Sequence, residues 1–274
     1  MSERSTCTCA TALLCLLLIG GTSAAAASTP LPHDAQQGQL IAATTAPGSI
    51  VHLGEREVRV GADGHFVFGI ERDAPPELTI TIRRTNGKTE QHRIAVVQRD
   101  YRIERVDGLP QHTVTPDPEL AKRIAEEQAR VAAARKRDDD RNDYLSGFVR
   151  PAQGRISGVY GSQRIDNGVP KSPHYGLDIA VPTGTPVKAP ANGVVSFVAT
   201  NLVLTGGTVL IDHGRGLTSS FLHLSRVDVN VGDRVKQGEV FAAAGATGRA
   251  SGPHVHWGFN WFDVRLDPAL LPGR

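Results

Sequence analysis

Three fragments in the C-terminal half carry histidines at spacings that can do chemistry: "SPHYGLDIAVP" at 172–182, "SSFLHLS" at 219–225 and "GPHVHWG" at 252–258. In the last, His254 and His256 are separated by one valine. On a strand both imidazoles leave the same face, with Cα atoms ~7 Å apart, while Trp257 and Phe259 point the other way toward a core. In the first, His174 and Asp178 lie four residues apart. A straight strand would separate them by ~13 Å, too far to share one ion with bonds near 2 Å. Pro173, Gly176 and the Ile-Ala-Val-Pro run oppose a helix. The spacing works if a loop bent at Gly176 carries His174 back over the start of a strand bearing Asp178.

His174, Asp178 and one histidine of the 254/256 pair would supply two nitrogens and one oxygen, leaving a fourth position for water. That is the donor set of an open, catalytic zinc site, one ion per site. Zinc lowers the pKa of bound water to ~7 and polarises a carbonyl. A zinc hydroxide still needs a base to take the second proton and a donor for the tetrahedral oxyanion. His223 and the remaining histidine of the pair are available for those tasks. His213, in "IDHG", reads as a turn residue. His52, His65 and His92 are scattered, without a carboxylate at ligand spacing, and read as surface or strand-filling residues.

Cysteine can contribute nothing to such a site. The three cysteines of the 274-residue chain, Cys7, Cys9 and Cys15, all fall in an N-terminal stretch that reads as an export signal over residues 1–27. It has a polar start with Arg4, an apolar run from Ala10 to Ile19, and alanines at 24–27 for cleavage. The run is shorter than the ~20 residues of a spanning helix, so the mature chain is expected to have no transmembrane span. Acylation at Cys15 is disfavoured because Leu14 stands where a small residue is expected. A periplasmic or envelope location follows. A formal net charge of +2 gives no polyelectrolyte signature, and nucleic acid is excluded as a favoured partner.

The rest of the sequence must position the histidines, and it reads as mainly β. Residues 28–113 carry short strands broken by turns and predict a small, immunoglobulin-like β domain. Its clearest signature is a hairpin over 78–97, where Leu78, Ile80 and Ile82 alternate with polar residues and Asn86-Gly87 supplies the turn. Residues 114–146 predict a charged, solvated helical linker, started by Asp117 and Pro118 and supported by Glu119/Arg123 and Glu126/Arg130 pairs. Residues 147–274 turn glycine- and valine-rich again. Within them, "VNVGDRVKQGEVFAAAG" (229–245) resembles the flattened β-barrel of lipoyl and biotinyl carriers. Lys236 does not sit at the hairpin tip that carrier chemistry needs, so only the fold relation carries over.

Residues 148–268 resemble the lysostaphin/LytM-type zinc metallopeptidases, which cleave peptide cross-links in bacterial cell walls. The resemblance rests on His174 and Asp178 in H-x-x-x-D, His223 in "FLHLS", His254 and His256 in H-x-H, and the flanking "VYGSQR" and "GTPVKAPANGVV". It implies zinc ligands His174, Asp178 and His256, and catalytic histidines His223 and His254. In this reading His254 is the base and His223 the oxyanion donor, two roles that could exchange, with Tyr160 a further candidate to support the transition state. The substrate implied is the peptide stems of peptidoglycan. A second reading is a non-enzymatic envelope regulator that activates an amidase or divisome partner. Five unsubstituted site positions favour the enzyme.

Overall fold

Strand-forming runs punctuated by glycine turns give a mainly β molecule, described by the computed structural model over residues 30–107 and 117–273. The expected export signal lies outside the described residues. Eight strands form the N-terminal part: β1 (Asp34–Gln36), β2 (Leu40–Thr44), β3 (Ile50–Leu53), β4 (Arg56–Val58), β5 (His65–Gly69), β6 (Glu77–Arg83), β7 (Thr89–Val97) and β8 (Ile103–Val106). Five of them make a sheet in the order β1-β7-β6-β3-β4, and β2 pairs with β5. The hairpin over 78–97 is present as β6 and β7. Its turn closes through Arg84 N–H to Lys88 O at 2.8 Å, with Gly87 at φ +82°. That left-handed value is why glycine follows Asn86.

The C-terminal part contains β9 (Arg155–Gly158), β10 (Gln163–Asp166), β11 (Val169–Pro170), β12 (Leu177–Ala180), β13 (Pro186–Lys188), β14 (Gly193–Leu202), β15 (Gly206–Asp212), β16 (Leu217–Leu224), β17 (Arg226–Val227), β18 (Arg234–Val235), β19 (Val240–Ala243), β20 (His254–Trp261) and β21 (Val264–Leu266). The main sheet runs β18-β14-β15-β16-β20-β12-β9, with β21 added to β20. A second, small sheet, β13-β19-β17, lies beside it. On β20, Val255, Trp257 and Phe259 are buried, whereas His254 and His256 are partly exposed. The period-2 reading of this strand holds, and it puts both imidazoles on the face away from the core.

The two parts are tied together more closely than a linker implies. β8 pairs in parallel with β10, and one continuous apolar cluster includes Phe66, Phe68 and Ile80 together with Ile179, Phe221 and Phe259. Gly69 of β5 packs closely on β21: a Cβ there would come 2.8 Å from a methyl of Leu266.

Helix α1 (Pro118–Ala134) starts as its sequence dictates, with the Asp117 carboxylate accepting from Leu120 N–H at 2.9 Å. It ends well short of residue 146. Its apolar stripe runs out at Ala134, and the aspartates that follow would sit at the negative end of the helix dipole. They find ion pairs instead: Arg59 with Asp138, and Arg137 and Arg141 with Asp139 and Asp212. The expected Glu119/Arg123 pair gives way to Arg123–Glu127 at 2.9 Å, because Glu127 also accepts from Val203 N–H at 2.8 Å. The helix buries no residue fully, but Val131 and Ala134 cover Phe197, Leu202 and Leu210. Among the described residues no helix is long and apolar enough to cross a membrane.

Candidate active site

Asp178 on β12 stands directly across the antiparallel ladder from His256 on β20, and its other neighbour is Gly158 on β9. His174 comes from the loop before β12. Two backbone bonds hold it: Gly161 N–H to His174 O at 2.8 Å, and His174 N–H to Ser162 O at 2.7 Å. The chain bends at Gly176 and brings His174 Nε2 to 3.0 Å from both Asp178 Oδ1 and His256 Nδ1. The third edge, His256 Nδ1 to Asp178 Oδ1, is 2.8 Å. Glycine is required at both flanks. A Cβ at Gly158 would collide with the Asp178 carboxylate, and one at Gly176 would lie 2.5 Å from His256 Nε2.

Donor chemistry follows from the partners. His174 Nδ1 lies 3.0 Å from Val159 O, and a carbonyl can only accept. Nδ1 therefore carries the proton in the neutral ring, and Nε2 presents its lone pair to Asp178 and His256. Burial opposes charging His174, but the bond to Asp178 outweighs it and raises the imidazole pKa. Burial drives His256 down to about 4, against the bond to Asp178, so its ring is neutral at neutral pH. Burial also works against the charged Asp178 carboxyl, yet the two histidines hold its pKa far below the usual carboxylate range. The neutral His256 ring, the ionised Asp178 oxygen and His174 Nε2 thus face one another.

Their separations fit a metal of zinc's size. Four ligands at ~2.0–2.1 Å around a tetrahedral ion lie ~3.3 Å apart, close to the observed edges. Among the described residues this is the one cluster of three such side chains that could hold an ion. Relative side-chain exposures of 24% for His174 and 21% for Asp178 leave the triangle open to solvent.

Two further histidines border it. His254 Nδ1 donates to Gly252 O at 2.8 Å, and Nε2 lies 3.7 Å from Asp178 Oδ1. His223 Nδ1 donates to Thr247 O at 2.8 Å, and its ring centroid is 4.7 Å from that of His254 and 6.5 Å from that of His256. Simple alternation would place His223 with Phe221 in the core. Between Phe221 and Leu224 the pairing with β15 slips, and His223 takes φ +63°. This bulge turns its ring onto the histidine face. Burial lowers the His223 pKa and keeps it neutral.

Residues 172–268 match the description Peptidase family M23. A crystal structure from Pseudomonas aeruginosa described as an M23 peptidase is 31% identical, with a TM-score of 0.63, and the alignment covers 85% of this chain and 93% of that one. The chain belongs to peptidase family M23. Its relatives include the peptidoglycan DD-endopeptidase ShyA of Vibrio cholerae, 38% identical over 104 residues, which are 38% of this chain and 24% of ShyA. An uncharacterized metalloprotease of Haemophilus influenzae is 39% identical over 133 residues, 46% of this chain and 28% of that protein. This M23 chain spans about a quarter of the length of these curated relatives.

Other residues fall elsewhere. Tyr160 does not face the histidines: it is buried, and its hydroxyl donates to Arg265 O at 2.9 Å. His213 does end a strand at a turn, but it is wholly buried, bonded to Asn192 O at 2.7 Å and Ser219 Oγ at 2.8 Å. His65 and His92 do have carboxylates, Asp63 at 3.1 Å and Glu90 at 3.8 Å, as pairs with no third ligand. Among the groups that support this M23 site, Gly176 is marked in the sequence by its place at the bend, whereas Gly158 and the Val159 and Thr247 carbonyls carry no mark in composition or spacing. Only the sheet register assembles it.

Proposed function

We propose that this chain is a zinc-dependent endopeptidase acting on the peptide cross-links of peptidoglycan in the cell envelope, exported by residues 1–27. His174, Asp178 and His256 hold one zinc ion. The observation that carries the reading is the solvent-open triangle of two imidazole nitrogens and one carboxylate oxygen with 2.8–3.0 Å edges. The ShyA and ShyC relatives, named peptidoglycan DD-endopeptidases, support a DD-type link between stem peptides as substrate.

Zinc, when bound, supplies a Lewis acid that acidifies water and polarises the scissile carbonyl. The chain's own residues do the rest. Val159 O fixes the His174 tautomer, and Asp178 supplies the negative charge that the cation requires. Gly252 O holds His254 with its Nε2 lone pair bare and pointed toward the Asp178 edge, so His254 takes up the proton released by the attacking water. The Nε2 of His223 can donate to a developing oxyanion only when that ring carries its second proton, which burial resists. We assign His254 as the base and His223, once protonated, as the oxyanion donor; both rings present a bare Nε2, so the two roles could exchange.

The test is clearing of purified cell wall by the full chain. Clearing should vanish with chelator, return with zinc, and be lost in His256→Ala. Chelator-insensitive clearing, or an active His256→Ala, would reject the mechanism.

A further inference from the structure

Beyond His256, β20 continues on the same face through Gly258 to Asn260. Gly258 lies close against its neighbours: a Cβ there would meet Tyr175 O at 3.1 Å, His256 Nε2 at 3.5 Å and Ser220 Cβ at 3.6 Å. Ser220, paired with Gly258 across the ladder, accepts from Arg135 Nη2 at 3.2 Å. Arg135 is the residue that ends α1. From the other side Arg265 of β21, paired with Asn260, donates to Asn260 Oδ1 at 3.4 Å and lies with its guanidinium carbon 5.5 Å from the Tyr175 ring centre. Tyr175 is the neighbour of His174. Two guanidinium groups thus reach the His256 end of the sheet, one at Ser220 beside Gly258 and one at Asn260.

We infer that Arg135 and Arg265 form a carboxylate-binding subsite that selects stem peptides bearing a free carboxylate next to the bond presented to His174, Asp178 and His256.

Charge supports this. The arginines that follow α1, Arg137 and Arg141, are ion-paired, and so are Arg215 and Arg234 on later turns and strands. Among the described residues Arg135 and Arg265 make no ion pair, and the buried Arg135 Nε has no hydrogen-bond partner. Burial, together with the like charge of Arg265, pushes Arg135 down to about 9. Two half-buried cations close enough to feel each other's charge lack a counter-ion, and an anion that reaches both relieves them. A planar carboxylate suits paired guanidinium forks. Neighbouring Asn260 also has a buried Nδ2 without a partner, a further donor at the same place.

The choice of peptide rests on the peptidase reading above, but the measurement does not. Binding of synthetic stem tetrapeptides to the full chain is followed by calorimetry with chelator present, so no hydrolysis enters. One peptide has every carboxylate free, and in the others a single carboxylate is converted to its amide. One of the amides should bind about ten- to a hundred-fold more weakly than the free acid. That difference should disappear in Arg135→Gln and in Arg265→Gln, with binding of the amide unchanged. Arg135→Lys and Arg265→Lys keep the charge without the fork and should retain part of it; they serve if a glutamine variant fails to fold. Equal binding of all peptides, no binding of any, or selectivity that survives both substitutions would overturn the subsite. Failure of chelator-sensitive cell-wall clearing would overturn the peptidase reading alone.

Discussion

Gly176 packs against the ring of His256 so tightly that a Cβ would sit 2.5 Å from Nε2 and 2.6 Å from Cε1, with Trp257 O at 2.7 Å. The backbone at Gly176 is not left-handed, so space alone demands glycine. Gly176→Ala should fold, push the imidazole of His256 out of the triangle, and lower zinc affinity about ten- to a hundred-fold, the usual effect of disturbing a ligand's support. Titration with a chromophoric zinc competitor checks it. Unchanged affinity would mean that the ring relaxes at no cost.

His223 separates chemistry from backbone strain. Its φ of +63° is tolerated by asparagine and costs a β-branched residue about 1–2 kcal/mol. Asparagine and valine at 223 should abolish cell-wall clearing equally, since neither has an imidazole. Only His223→Val should also lower the melting temperature, by several degrees relative to His223→Asn. Matching melting curves for the two would show that the bulge does not constrain the residue.

Arg215 joins the two parts of the molecule. It is 3% exposed and reaches Asp140 at 3.0 Å, Asp63 at 3.4 Å and Asn142 Oδ1 at 2.7 Å. Arg215→Met should cost about 1–3 kcal/mol, because the aspartates left behind remain partly solvated while the charged hydrogen bonds are lost. A urea midpoint measurement decides, and zinc binding should be unaffected.

His213 sets a pH dependence of stability. Burial lowers its pKa to about 4 against the ordinary 6.5. Above 6.5 both folded and unfolded chains leave it neutral, so it contributes no slope. Between 6.5 and 4 the unfolded chain binds the proton and the folded one does not. Stability therefore falls with pH across that window, by on the order of 3 kcal/mol for 2.5 pKa units. His213→Gln should flatten this part of a plot of unfolding free energy against pH. A wild-type profile level from pH 7 to 4.5 would contradict the buried, neutral ring.

Some of the site was legible in the order of residues. Period-2 alternation placed His254 and His256 on one face of β20 and Trp257 and Phe259 on the other, since pleating is a local property of a strand. Gly176, with Pro173 before it, marked the bend that brings His174 back to Asp178. Asp117 marked the start of α1, although nothing in the charge run beyond Ala134 said that its arginines and aspartates would leave the helix for Asp212. Alternation alone would have misplaced His223, because the bulge in β16 depends on its pairing with β15. Tyr160 stood close to His174 in sequence but spends its hydroxyl on Arg265 O. Arg135 and Arg265, in the charge run and near the C-terminus, gave no hint that they meet.

By itself the sequence named the side chains proposed to bind a cation and move a proton, because donor type and strand face need only a few neighbouring residues. Whether those groups meet was decided by tertiary structure. His174 and His256 are 82 positions apart, and their 3.0 Å contact depends on β12 and β20 pairing in one register out of several. Slip that ladder by a single residue and Asp178 faces a valine or a tryptophan, so long-range strand pairing, not composition, makes these residues a site.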